Sequence, residues 1–263
     1  MTCETGPGSP SGHAMITGAV WCVLIAALLR KLQKHVLPGH EGVSRVVSAV
    51  VWAIFAVCYL LVCLSRLSLG AHFPHQIIAG AICGMVLVAG LAWIPITSMR
   101  TRNYVITSGV LFGLAYDEYL CIRCLGFNPD WSVVKALTFC KEQGWVNLNT
   151  APLHSLARLC GALLGLGIGL NLRTWVSPIP EGYGQGQKRY RRPWDARMVT
   201  AVLAAGLYRY AESLPLPYEP MALFYVSAFV KHTIVPVLVV AVVPLVGDFI
   251  IRCFHHFPLH KRL

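Results

Sequence analysis

The chain has 263 residues, of which 56% are hydrophobic and only 13% charged. A soluble domain carries about 25% charged residues, so this composition excludes an ordinary water-soluble globule, and the apolar runs are long enough for a bilayer core. The net charge of +11 does not point to nucleic acid, because the basic residues fall between apolar runs and form no single stripe.

From the amino terminus, Thr2 to Gly12 is short and polar, with no basic stretch and no cleavage site. The first span is therefore expected to act as its own insertion signal. Seven spans are predicted, at 13–29, 46–64, 75–96, 104–122, 155–171, 198–214 and 222–251, the last interrupted by Pro236 and Pro244. Each is read as a helix, since a lone strand leaves its backbone unsatisfied in lipid. The expected fold class is an all-α polytopic transmembrane helix bundle of about seven spans, forming one membrane-embedded domain over 1–263.

The loops test this layout. Loop 30–45 holds Arg30, Lys31, Lys34 and Arg45; the turn after the third span holds Arg100 and Arg102. Loop 172–197 holds Arg173, Lys188, Arg189, Arg191, Arg192 and Arg197, and the tail holds Arg252, Lys261 and Arg262. Seven spans put all four segments on one side, the cytosolic side by the positive-inside rule. The other side carries the amino-terminal tail with Glu4, the segment 65–74 with Arg66, the loop 127–153 with Lys135 and Lys141, and the segment 215–221 with Glu219.

Cys22, Cys58, Cys63, Cys83 and Cys160 lie inside apolar runs and read as small apolar filler. Cys121 and Cys124 are a lone pair, and no metal-ligand spacing appears. No metal or other cofactor is expected. No N-x-S/T acceptor site occurs. Asp117, Glu118 and Asp248 fall within spans, where helix pairing or tilt toward the interface is the plainer reading and function the alternative.

Two segments on the non-cytosolic face carry chemistry. Gly6 to His13 (GPGSPSGH) precedes the first span; Ser65-Arg66, then His72-Phe73-Pro74-His75-Gln76, lies between the second and third. An antiparallel first pair of spans returns positions 13 and 66 to one membrane level. A Gly/Ser/Pro turn that opens a helix suits an anion, through unpaired N–H groups and the helix dipole. Gly12 lets the backbone approach closely, Ser11 adds a hydroxyl, and Arg66 offers a planar fork for phosphate oxygens. Two histidines supply a nucleophile and an acid for the leaving oxygen.

These segments resemble the second and third signature motifs of the type 2 phosphatidic acid phosphatase superfamily. Pro10-Ser11-Gly12-His13 matches the second, and Ser65-Arg66 with His72 matches the third. The strings from Cys3 to His13 and from Ala71 to Gln76, and the later Phe224 to Phe229, resemble the glucose-6-phosphatase family in particular. The resemblance implies that His72 is a nucleophile forming a phosphohistidine and that His13 is the general acid. It makes Arg66 a phosphate clamp, with Ser11 and the Gly12 amide as phosphate ligands. Gln76 stands where the wider superfamily places an Asp, and it favours the glucose-6-phosphatase branch.

The family's first motif is a Lys, six residues, then Arg-Pro, upstream of the second. Here the only Arg-Pro is Arg192-Pro193, with Gln185 at the Lys position, in a loop expected to be cytosolic. The chain thus looks like an amino-terminally truncated member, lacking the family's first spans and two cationic phosphate ligands.

The implied activity is hydrolysis of glucose 6-phosphate in the endoplasmic reticulum membrane, with a luminal active site. The implied partners are the sugar phosphate, the bilayer and a glucose-6-phosphate transporter, with no nucleic acid. A catalytically impaired fragment and a lipid phosphate phosphatase are the alternatives. Lys261 resembles half of a dilysine retrieval signal, with His260 in place of the other Lys.

Overall fold

In a computed structural model of the chain, the described residues are 3, 5, 6, 8–94, 99–142, 146, 148–176, 194–217 and 220–256. The basic cluster Lys188 to Arg192, Gln185, Pro193, Glu4, Glu219 and the tail residues His260, Lys261 and Arg262 lie outside them. Helices dominate, and no strand occurs among the described residues. They are α1 (Gly12–His35), α2 (Glu41–Ser68), α3 (Pro74–Leu91), α4 (Thr101–Cys124), α5 (Trp131–Phe139), α6 (Pro152–Val176), α7 (Trp194–Ser213), α8 (Met221–Val237) and α9 (Val243–His256). The chain divides into two compact units: Met1–Pro95 with Asp130–Ala151, and Ile96–Pro129 with Pro152–Leu263.

In the first unit, α1 packs on both α2 and α3. The α1–α2 pairing is antiparallel. Tyr59 Oη donates to the Ala14 carbonyl at 3.1 Å near one end, and Gln33 Nε2 donates to Ser48 Oγ at 3.3 Å near the other. The α1–α3 contact depends on two glycines one turn apart. A Cβ on Gly80 would stand 2.5 Å from the Ser11 carbonyl oxygen, and one on Gly84 would stand 2.8 Å from that of Met15. Small residues spaced four apart are how helices approach closely in lipid.

α2 has no buried residue along its 28 positions. Leu60 and Leu61 are about 60% exposed. In water such a face would need a partner; in a bilayer it meets acyl chains.

In the second unit, α6 is central. Gly161 and Gly165 lie against the Phe229–Thr233 turn of α8, Gly169 against Pro236 and Val237, and Gly167 against the Tyr104 ring of α4. Ser108 Oγ of α4 donates to the Cys160 carbonyl at 2.9 Å, which satisfies a buried hydroxyl. The span expected at 222–251 runs from α8 through a π-helical turn at Leu238–Val242 into α9. Pro236 lacks an N–H and clashes with the preceding turn, and a wider turn beside it accommodates the break without ending the helix.

Six helices among the described residues are long and apolar enough to cross a membrane, by length and composition. α7, expected as a seventh, has 20 residues but carries Asp195, Arg197, Arg209 and Glu212. Charges near both its ends leave α7 a shorter apolar stretch than a full crossing asks for. The loop expected over 127–153 holds a helix, α5.

Candidate active site

The amino-terminal segment and the 127–153 region were expected on one face, and the structure joins them. Cys3 and Cys140 form a disulfide with a Cα–Cα distance of 6.1 Å. The buried Ser132 Oγ donates to the Thr5 carbonyl at 2.8 Å, and Thr5 N–H donates to Thr150 Oγ1 at 3.0 Å. α5 buries Ser132, Val133 and Ala136 beneath this segment. The chain then turns through Gly8, whose φ of +82° favours glycine, and through a cis Ser9–Pro10 bond to start α1.

At the α1 start, the Ser11 N–H donates to the Gln76 carbonyl at 3.0 Å, and the first intrahelical bond runs from Met15 N–H to the Ser11 carbonyl at 3.0 Å. The Gly12 N–H precedes that ladder, so no helical carbonyl accepts from it. A Cβ on Gly12 would meet nothing within 4 Å, so the space over this backbone is open. Ser11 is fully buried, and its hydroxyl has no hydrogen-bond partner. A buried polar atom left unpaired at a helix start calls for a ligand.

His72 sits in the turn just before α3 and is half-buried. Its Nδ1 is 3.3 Å from Gln76 Oε1, which also accepts from the Phe73 N–H at 2.9 Å. An amide oxygen only accepts, so His72 Nδ1–H is the donor in this contact. The Phe73 N–H, a fixed donor, sets the amide orientation that this assignment needs. Gln76 thus fixes the orientation of the His72 ring through one uncharged contact.

A cavity of about 480 Å³ opens here, within the range of roughly 300–1,000 Å³ that small-molecule sites occupy. Its wall joins Gly6 and Gly8, the turn from Gly70 through His72 to Gln76, and the Trp131, Ser132, Lys135 and Ala136 face of α5. His72 is thus in the wall, with Gln76 behind it. Ser11, Gly12, His13 and Arg66 are not among the lining residues. Ser11 is joined to the site through Gln76. His13 is exposed on the first turn of α1, and Arg66 is half-buried in the last turn of α2, its Nε 3.5 Å from Ser65 Oγ.

The sequence reading missed α5, with Trp131, Lys135 and the Cys3–Cys140 bridge. A signal was present: Val133, Ala136, Leu137 and Cys140 follow Asp130 with the i, i+3, i+4, i+7 spacing of a helix face. Asp117 and Glu118 are exposed on α4, in the second unit, and are not among the residues that line this cavity. No group of three or more His, Cys, Asp or Glu that could hold a metal ion occurs among the described residues.

A family model described as the PAP2 superfamily matches residues 1–100. The chain is 36% identical over 248 residues to rat "Glucose-6-phosphatase catalytic subunit 1", covering 93% of this chain and 66% of the relative. It is 34% identical over 248 residues to human "Glucose-6-phosphatase 2", covering 92% and 67%. It is 38% identical over 245 residues to bovine "Glucose-6-phosphatase 3", covering 92% and 66%. The chain spans about two thirds of the length of these curated relatives. No solved structure matches it. With both phosphatase motifs in one unit and these similarities along nearly its whole length, the chain belongs to the glucose-6-phosphatase family.

Proposed function

We propose that this protein is a membrane phosphohydrolase that removes phosphate from a sugar phosphate, glucose 6-phosphate, through a phosphohistidine. The observation that carries the reading is the His72–Gln76 pair at a cavity wall, 3.3 Å apart, which leaves Nε2 as the nucleophile. The names of the relatives support the substrate.

His72 Nε2 attacks phosphorus in line as the sugar oxygen leaves with a proton from His13. Water, deprotonated by His13, then attacks the phosphohistidine and releases inorganic phosphate and free His72. Ser11 Oγ, the Gly12 N–H and Arg66 hold the non-reacting oxygens, since phosphoryl transfer is mostly positioning and charge stabilisation.

The finer reading is an endoplasmic reticulum membrane protein with the site on the luminal face. The Cys3–Cys140 bridge supports it, because disulfides persist in oxidising compartments. The Lys/Arg distribution supports the same orientation. A luminal site also implies a carrier for the dianionic substrate, a glucose-6-phosphate transporter, because the charge does not cross hydrocarbon unaided.

The test is phosphate release from glucose 6-phosphate by microsomes containing the chain, with acid-labile labelling of His72 by radioactive substrate. His72→Ala is expected to lower release by about 10³-fold or more and to abolish the label. Label that persists in His72→Ala rejects the assignment of the nucleophile.

A further inference from the structure

We infer that Lys135, held by the Trp131 indole on α5, is the cation of the His72 cavity and binds the phosphate oxygens of the substrate. Its catalytic consequence rests on the hydrolase reading above; anion binding itself does not.

Among the described residues that line the cavity, Lys135 carries the only fixed positive charge. Arg66, the cation that the motif supplies, is not part of the wall. A phosphate monoester is a dianion, and this wall is largely apolar: Leu67, Ala71, Phe73 and Pro74 face it beside His72. Lys135 is exposed on α5, so an anion entering from outside can reach its ammonium.

The position of Lys135 is fixed from both ends of α5. Ser132 is tied to the Thr5 carbonyl at 2.8 Å, and Cys140, the residue after the helix, is bonded to Cys3. One turn before Lys135, the Trp131 ring lies under its ammonium, with Nζ 5.3 Å from the ring centroid. A cation–π contact steadies an ammonium without neutralising it. No carboxylate pairs with Lys135 among the described residues.

A lysine on a helix at a membrane surface commonly snorkels to lipid headgroups. That role needs neither a shared wall with His72 nor an aromatic ring that keeps the ammonium over the cavity.

The experiment has two arms on the full chain. The first is chemical acetylation in neutral detergent, read by peptide mass at Lys135 and Lys141, with inorganic phosphate or chloride at equal ionic strength. Phosphate is expected to slow acetylation of Lys135 several-fold and to leave Lys141 unchanged. The second is the kinetics of Lys135→Gln and Lys135→Arg. Lys135→Gln is expected to raise KM about tenfold with little change in kcat, since a phosphate contact made before and during reaction is uniform binding. Lys135→Arg keeps the charge and is expected to recover most of the loss.

Equal protection of both lysines by phosphate, or an unchanged KM in an active Lys135→Gln, overturns the inference. Phosphate protection of Lys135 in a chain with no His72-dependent hydrolysis supports the anion site and rejects the hydrolase reading.

Discussion

Ser11 separates a functional cost from a structural one. Its hydroxyl is buried without a partner, so the folded protein gains nothing from it and bears its desolvation. Ser11→Ala is expected to keep thermal stability or raise it by up to about 1 kcal/mol. If the hydroxyl serves phosphate, the same change lowers kcat/KM by about 10²–10³-fold, as loss of a transition-state donor does. Parallel melting and phosphate-release curves check this, and a destabilised but fully active variant would contradict it. The neighbourhood of His72 and Gln76 was legible in the sequence because the family resemblance sets both residues in one short segment. Lys135 was visible only as one charge in a loop. Nothing near it in sequence says that a wall containing His72 stands opposite, since that contact is made across more than sixty residues.

The same glycine-rich stretch of α1 and α3 contains two glycines with opposite tasks. Gly80 has no room for a methyl group, because the Ser11 carbonyl lies where it would go. Gly80→Ala is expected to push the α1 start away and to cost roughly 1–3 kcal/mol, as overpacking does. Gly12 has open space, so Gly12→Ala is expected to leave stability unchanged while its methyl group crowds the anion position. Unfolding in detergent, followed by accessibility of the half-buried Cys22 of α1 and Cys83 of α3, distinguishes the two. A loss of stability at Gly12 equal to that at Gly80 would refute the distinction.

Among the elements, the long apolar helices were readable because a bilayer sets their length. α5 was missed because its nine residues were weighed against a template of about 20. α7 reads as a span on its apolar middle, which lies between charged ends.

For the whole molecule, α7 decides the side of the carboxyl terminus. Seven crossings from a luminal amino terminus leave the basic tail in the cytosol, where the positive-inside rule puts it. Without α7 as a span, the tail is luminal. An epitope after Leu263 is expected to be removed by protease added to sealed microsomes, whereas the 127–153 region is spared. A protected epitope takes α7 out of the membrane. The Lys/Arg distribution gives the expected orientation, whereas the division into two units was not legible in the sequence, because it depends on which helices touch.

That division also sets an order of biosynthesis. The first unit is built from two stretches, Met1–Pro95 and Asp130–Ala151, and the ribosome makes all of α4 between them. A nascent chain that has finished α3 already contains His72, yet the wall bearing Trp131 and Lys135 has not been translated. The cavity is completed late in synthesis, and a chain arrested before α5 carries His72 without the wall that faces it in the folded unit.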